Sequence, residues 1–130
     1  MYVSSMYISK DLVAASAAPM VLGILADADS YGYAILARVR ELSGGHIEWT
    51  DGLLYPLLHR LEEQGLVEAT WGEAENGRKR KYYRITPQGR DSLAEHRRQW
   101  RAVSDALKET WSNVKEAAAW AARPAEGMAT

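Results

Sequence analysis

Hydrophobic positions recur every three or four residues along most of the chain and every second residue along one stretch near the middle. From about Ser9 to Ala26 the run Leu12, Val13, Ala14, Ala15, Met20, Val21, Leu22, Ile24 and Leu25 is interrupted by few charges, which predicts a helix buried on most sides. Pro19 lacks an amide hydrogen and clashes with the preceding turn, so a kink or restart is expected near Ala17 and Ala18. The polar turn Asp27-Ala28-Asp29-Ser30 follows, with Ser30 or Asp29 placed to cap a second helix from about Tyr31 to Leu42. In that helix Ile35, Leu36, Val39 and Leu42 share one face while Arg38, Arg40 and Glu41 point outward, and Ser43-Gly44-Gly45 stops it.

His46 to Trp49 alternates polar and apolar through Ile47 and Trp49, which predicts a very short strand. Thr50 or Asp51 then caps a third helix to about Gln64, carrying Leu54, Leu57, Leu58 and Leu61 as an inward stripe and closed by Gly65. Beyond it the period falls to two: Leu66 to Glu73 and Arg80 to Thr86 are expected to be antiparallel strands, with Asn76-Gly77 supplying the positive dihedrals of a hairpin. Thr86-Pro87 opens a final helix to about Ala121, Thr as cap and Pro in the first turn. The expected fold is mainly α with a small β-hairpin wing: a winged helix-turn-helix domain over 9–86, a long C-terminal dimerisation helix over 87–121, and a disordered tail over 122–130.

Composition narrows the classes. The 130 residues are 47% hydrophobic, enough for one compact core with a helix to spare for association. No cysteine is present, so neither a disulfide framework nor a thiolate site is available. Met1 to Lys10 lacks the leader of a secretory signal and no stretch is long and apolar enough for a membrane span, so a cytoplasmic protein without a membrane partner is expected. His46, His59 and His96 fall on different elements; His59 and Glu63 have a helical spacing but no third ligand nearby, so no metal, cofactor or catalytic site is expected.

The formal net charge of −1 conceals an uneven distribution. Between Asn76 and Arg90 stand Arg78, Lys79, Arg80, Lys81, Arg84 and Arg90 with no acidic residue among them, so a protruding hairpin there could straddle phosphates. On the third helix the leucine stripe leaves Gly52, Tyr55, Pro56 and His59 on the opposite face, with Arg60 near its edge and Thr50 at the positive end of the helix dipole. That face fits a major groove. In the last helix Leu93, Trp100, Val103, Leu107, Trp111, Val114 and Ala118 recur at spacings of seven, three and four, forming an apolar seam that requires a partner or its own domain to cover it.

Four stretches taken together resemble PadR-family regulators: Ser30-Tyr31-Gly32-Tyr33, Gly52-Leu53-Leu54-Tyr55-Pro56-Leu57-Leu58, Arg60 to Val67, and Gly77 to Thr86 followed by Gly89. The resemblance implies a homodimeric winged-helix repressor whose third helix and wing bind double-stranded, inverted-repeat operator DNA. By position, Tyr55 matches the family's Leu-Tyr-Pro signature, Arg78 to Lys81 its basic wing, and Tyr82 and Tyr83 its double aromatic, one expected beneath the wing and one on its surface. In the family's short-tailed subgroup the single last helix packs on the partner's first helix. Its multidrug-responsive members carry a tryptophan at the place of Trp100, where a pair sandwiches flat aromatic ligands. By analogy Trp100 and His96, with Leu12 and Ala15 of the partner subunit, would line an effector pocket; Pro19 and His96 depart from that pattern. The competing expectation is a winged helix that contacts protein and has lost DNA affinity.

Overall fold

The computed structural model describes residues 6–112. The elements are α1 (Lys10–Asp27), β1 (Ser30–Tyr31), α2 (Gly32–Leu42), α3 (Asp51–Glu63), β2 (Val67–Glu73), β3 (Lys79–Ile85) and α4 (Pro87–Ser112). The strands form one antiparallel sheet in the order β1-β3-β2. The expected continuation of the last helix to Ala121, with Val114 and Ala118, and the tail 122–130 lie outside the described residues.

The leucine stripe of α3 is buried as the spacing predicts, at Leu54, Leu57, Leu58 and Leu61. It closes against Val21, Leu22 and Leu25 of α1, Ile35 and Val39 of α2, and Val67, Tyr83 and Ile85 of the sheet. Each such aliphatic side chain, taken out of water, contributes about 1.5–3 kcal/mol before conformational entropy is counted. α1 departs from expectation in its N-terminal half, where Leu12, Ala14 and Ala15 are exposed; within one chain its buried residues are Ala17, Val21, Leu22 and Leu25. Pro19 does not make the helix restart. The carbonyl it deprives of a partner belongs to exposed Ala15, which water can reach.

Two other expectations fail for identifiable reasons. The strand expected over His46 to Trp49 does not form. Ile47 and Trp49 turn inward from a loop, held by the Ser43 hydroxyl, which accepts from the Ile47 amide at 2.9 Å. The third strand is instead Ser30–Tyr31, paired with Tyr83 and Tyr82. Accordingly neither Ser30 nor Asp29 caps α2: Tyr31 is its N-cap and makes no side-chain capping bond.

The hairpin turn is longer than a two-residue one. The Gly77 amide donates to the Ala74 carbonyl and the Asn76 side chain accepts from the Arg78 amide at 3.1 Å. Gly77 alone carries the positive φ expected of both Asn76 and Gly77. At the sheet's base Thr86 ties two elements together, its hydroxyl donating to the Gly65 carbonyl at 2.6 Å and accepting from the Gly89 amide at 3.0 Å. Gly89 lies so close to Leu66 that a Cβ would overlap the Leu66 carbonyl oxygen. The chain divides into two compact units at His96 and Arg97, so α4 starts in one and continues into the other.

Candidate nucleic-acid interface

The Thr50 hydroxyl accepts from the Leu53 amide at 3.2 Å and its carbonyl accepts from the Leu53 and Leu54 amides, fixing the start of α3 with the Asp51 and Gly52 amides at the positive end of the helix. Gly52, Tyr55, Pro56, His59 and Arg60 are all exposed on the side of α3 away from the leucines. His59 lies 3.4 Å from Glu63 along the same exposed face. Tyr55 is the most constrained of these residues. Its ring lies against Gly32 at the start of α2, where a Cβ would overlap the phenolic oxygen and stand 2.6 Å from Cζ. Partial burial, then the carboxylate of Asp51, then Tyr83 push its phenol above the usual value, so it is a neutral hydrogen-bond donor at physiological pH.

The sheet explains how the wing meets this helix. On one face, register pairs Val67 with Ile85, Ala69 with Tyr83, Trp71 with Lys81 and Glu73 with Lys79. Along that series the side chains pass from core to surface: Val67, Ile85 and Tyr83 are buried, Lys81 is half-buried, and Trp71, Lys79 and Glu73 are exposed. Where the face leaves the core, it borders a cavity of about 460 Å³ lined by Tyr31, Gly32, Tyr33, Tyr55, Trp71, Arg80, Lys81 and Tyr83. The α3 tyrosine and two wing cations therefore share one concave surface.

The basic run is not uniform. Arg84 on the opposite face is engaged by Glu68 across the strands at 2.5 Å, and this carboxylate raises its pKa. Arg80 stacks on Tyr31 with its guanidinium carbon 3.9 Å from the ring centroid. Tyr31 also meets Tyr82 edge-on at 5.5 Å. Arg78 and Lys79 are exposed at the turn and form no ion pair among the described residues. Tyr83 packs beneath the wing at 4% exposure and Tyr82 lies half-buried, the division expected of the pair.

Sequence reasoning overlooked Trp71, 67% exposed, and assigned no separate role to Tyr33, 73% exposed. Strand parity holds the signal for the first, since Val67, Ala69 and Trp71 alternate onto one face. In α4, Leu93 packs against the winged-helix core and His96 is half-buried, whereas Trp100, Val103, Leu107 and Trp111 are exposed. Leu12, on α1, is also exposed. No helix among the described residues is long and apolar enough to cross a membrane.

Fold and surface together define a class, the winged-helix transcriptional regulators. Residues 21–95, more than half of the chain, match the Transcriptional regulator PadR-like family, and the chain belongs to that family. It is 34% identical over 89 residues to the transcriptional regulator YqjI of Escherichia coli (strain K12), covering 68% of this chain and 41% of that longer relative. It is 46% identical over 59 residues to the transcriptional regulator Rv3488 of Mycobacterium tuberculosis, covering 45% of this chain and 54% of that one. Among solved structures, a transcriptional regulator from Clostridium thermocellum superposes with a TM-score of 0.71 at 27% identity, over 82% of this chain and all of the other. A PadR-like transcriptional regulator from Bacillus cereus gives 0.70 at 27% identity, over 78% and 97%.

Proposed function

We propose that the protein is a cytoplasmic repressor that binds an inverted-repeat operator as a homodimer, α3 entering the major groove and the wing gripping the adjacent backbone. The observation that carries this is the convergence of Tyr55 with Arg80 and Lys81 on one concave surface, with Arg78 and Lys79 exposed beyond it. Gly52, Tyr55, Pro56, His59 and Arg60 are the groove-facing residues, and Thr50 presents the helix start to a phosphate. Arg78, Lys79, Arg80 and Lys81 supply affinity through counterion release.

Dimerisation is assigned to α4 through Trp100, Val103, Leu107 and Trp111, and to Val114 outside the described residues, with Leu93 anchoring the helix to its own domain. The exposed apolar positions of α4, and Leu12 and Ala15 of α1, favour a second copy as their cover. An aromatic effector bound by Trp100 and His96 with Leu12 and Ala15 of the partner subunit would release the operator. The first experiment is a gel-shift titration with the region upstream of the protein's own gene. Retardation that resists competitor DNA and weakens with salt is expected; no retardation even at low salt would replace this reading with a protein-contact module.

A further inference from the structure

We propose that one edge of α4 holds a second nucleic-acid duplex by its phosphate backbone, so that the protein bridges DNA. Bridging from an operator rests on the proposed function above; the duplex-holding edge does not. Arg90, Arg97, Arg101 and Lys108 stand seven, four and seven residues apart within α4. Helical rotation puts all four within about 20° of one line along the helix, over a length of about 27 Å. All four are exposed, and none forms an ion pair among the described residues.

The line has its own surroundings. Exposed Trp100, Val103, Leu107 and Trp111 lie about 60–140° to one side of it, and Asp91, Glu95, Asp105 and Glu109 about 60–140° to the other. A second copy covering the apolar seam therefore leaves the cations open along its border. The residues nearest the line, Ala94 and Ser104, are small, so a broad partner can approach the helix closely. Asp105 stands four residues after Arg101 and three before Lys108 but bridges neither. An exposed pair of that kind contributes little, and a phosphate displaces it readily.

The form of the line selects the anion. A duplex carries a phosphate for about every 1.7 Å of its axis, so a straight row of cations meets one at each position, and counterion release drives the contact. Three of the four cations are arginines, whose fork suits phosphate oxygens. An acidic protein segment would need carboxylates at matching intervals. Position makes this duplex a second one. β3 runs about 20 Å from Lys79 beside the turn to Ile85 in the core, and α4 begins beyond Ile85. Arg90 thus stands at the end of the sheet opposite Arg78 and Lys79, the cations assigned to the operator.

The test immobilises the region upstream of the protein's own gene, adds the full chain, and measures capture of a labelled duplex of random sequence. Capture is expected. Arg97→Gln/Arg101→Gln/Lys108→Gln should retard the upstream region as the parent does yet lose capture. The salt slope of the residual capture should be flatter by about 2.7, three contacts at about 0.9 each. Arg97→Lys/Arg101→Lys should keep capture, which separates charge from damage to the helix. In the absence of the upstream region, Tyr55→Ala/Arg78→Ala/Lys79→Ala should still retain the random duplex at low salt. No capture by the parent, capture unchanged by the glutamine substitutions, or retardation lost together with capture would overturn the second site. Competition by poly-glutamate as strong as by duplex of equal charge would assign the edge to an acidic protein instead. If the random duplex is held through α4 while the upstream region is not retarded specifically, the edge stands and the repressor reading falls; specific retardation without capture gives the reverse.

Discussion

Three glycines differ in what surrounds them, and substitution should separate them. Gly89→Ala drives a methyl into the Leu66 carbonyl and to within 2.6 Å of Ile85 Cγ1, and backbone cannot swing aside as a flexible side chain can. The expected loss is about 1–3 kcal/mol, visible as a lower Tm. Gly23, inside α1 with nothing within 4 Å of its virtual Cβ, should behave oppositely, Gly23→Ala stabilising by about 0.5–1 kcal/mol through helix propensity. Gly32→Ala meets only a side chain, that of Tyr55, which can be displaced toward solvent. Its Tm should move little while operator affinity falls to nearly that of Tyr55→Ala in the same gel shift; unchanged operator binding would show that the seat of this ring does not matter. The sequence marks Gly32 only as part of a resemblance, because a close approach between elements 23 residues apart leaves no local trace.

Among elements, those whose signal is local were legible and those defined by a partner were not. The α3 stripe, its Thr50 cap and the Thr86-Pro87 start of α4 are spacing and capping rules written into adjacent residues. A two-residue strand such as β1 has no period to detect, and it exists because Tyr82 and Tyr83 offer it a ladder. The His46 to Trp49 alternation is the converse case: Ile47 and Trp49 point inward for the core's sake, with no strand beside them. Thr86 shows how one residue can couple elements. Thr86→Val removes the donor to Gly65 and the acceptor for Gly89, leaving a buried amide short of its partner. A loss of about 2 kcal/mol is expected in urea unfolding, against about 1 kcal/mol for Thr50→Ala, where the Leu53 amide keeps the Thr50 carbonyl as its acceptor.

At the scale of the whole molecule, the dimer can be tested by how often each charge is counted. The basic wing was legible in composition, but the engagement of Arg84 by Glu68 was not, because it depends on strand register. Arg78 and Lys79 are therefore the cations whose removal reads most directly as lost phosphate contacts. Each contact contributes about −0.9 to the slope of log affinity against log salt, and in a two-fold dimer every substitution removes two contacts. Arg78→Ala should thus flatten the slope by about 1.8 for operator DNA, and by half that if one chain binds alone. Leu107→Glu places a charge on the exposed apolar face of α4 without touching the winged-helix core. It should yield a monomer by sedimentation with near-native helicity, and in that background the effect of Arg78→Ala should shrink to about 0.9. A slope change of 0.9 in the parent protein and no change in mass on Leu107→Glu would mean that α4 does not bring two reading surfaces together, and that the operator, if bound, is read one half-site at a time.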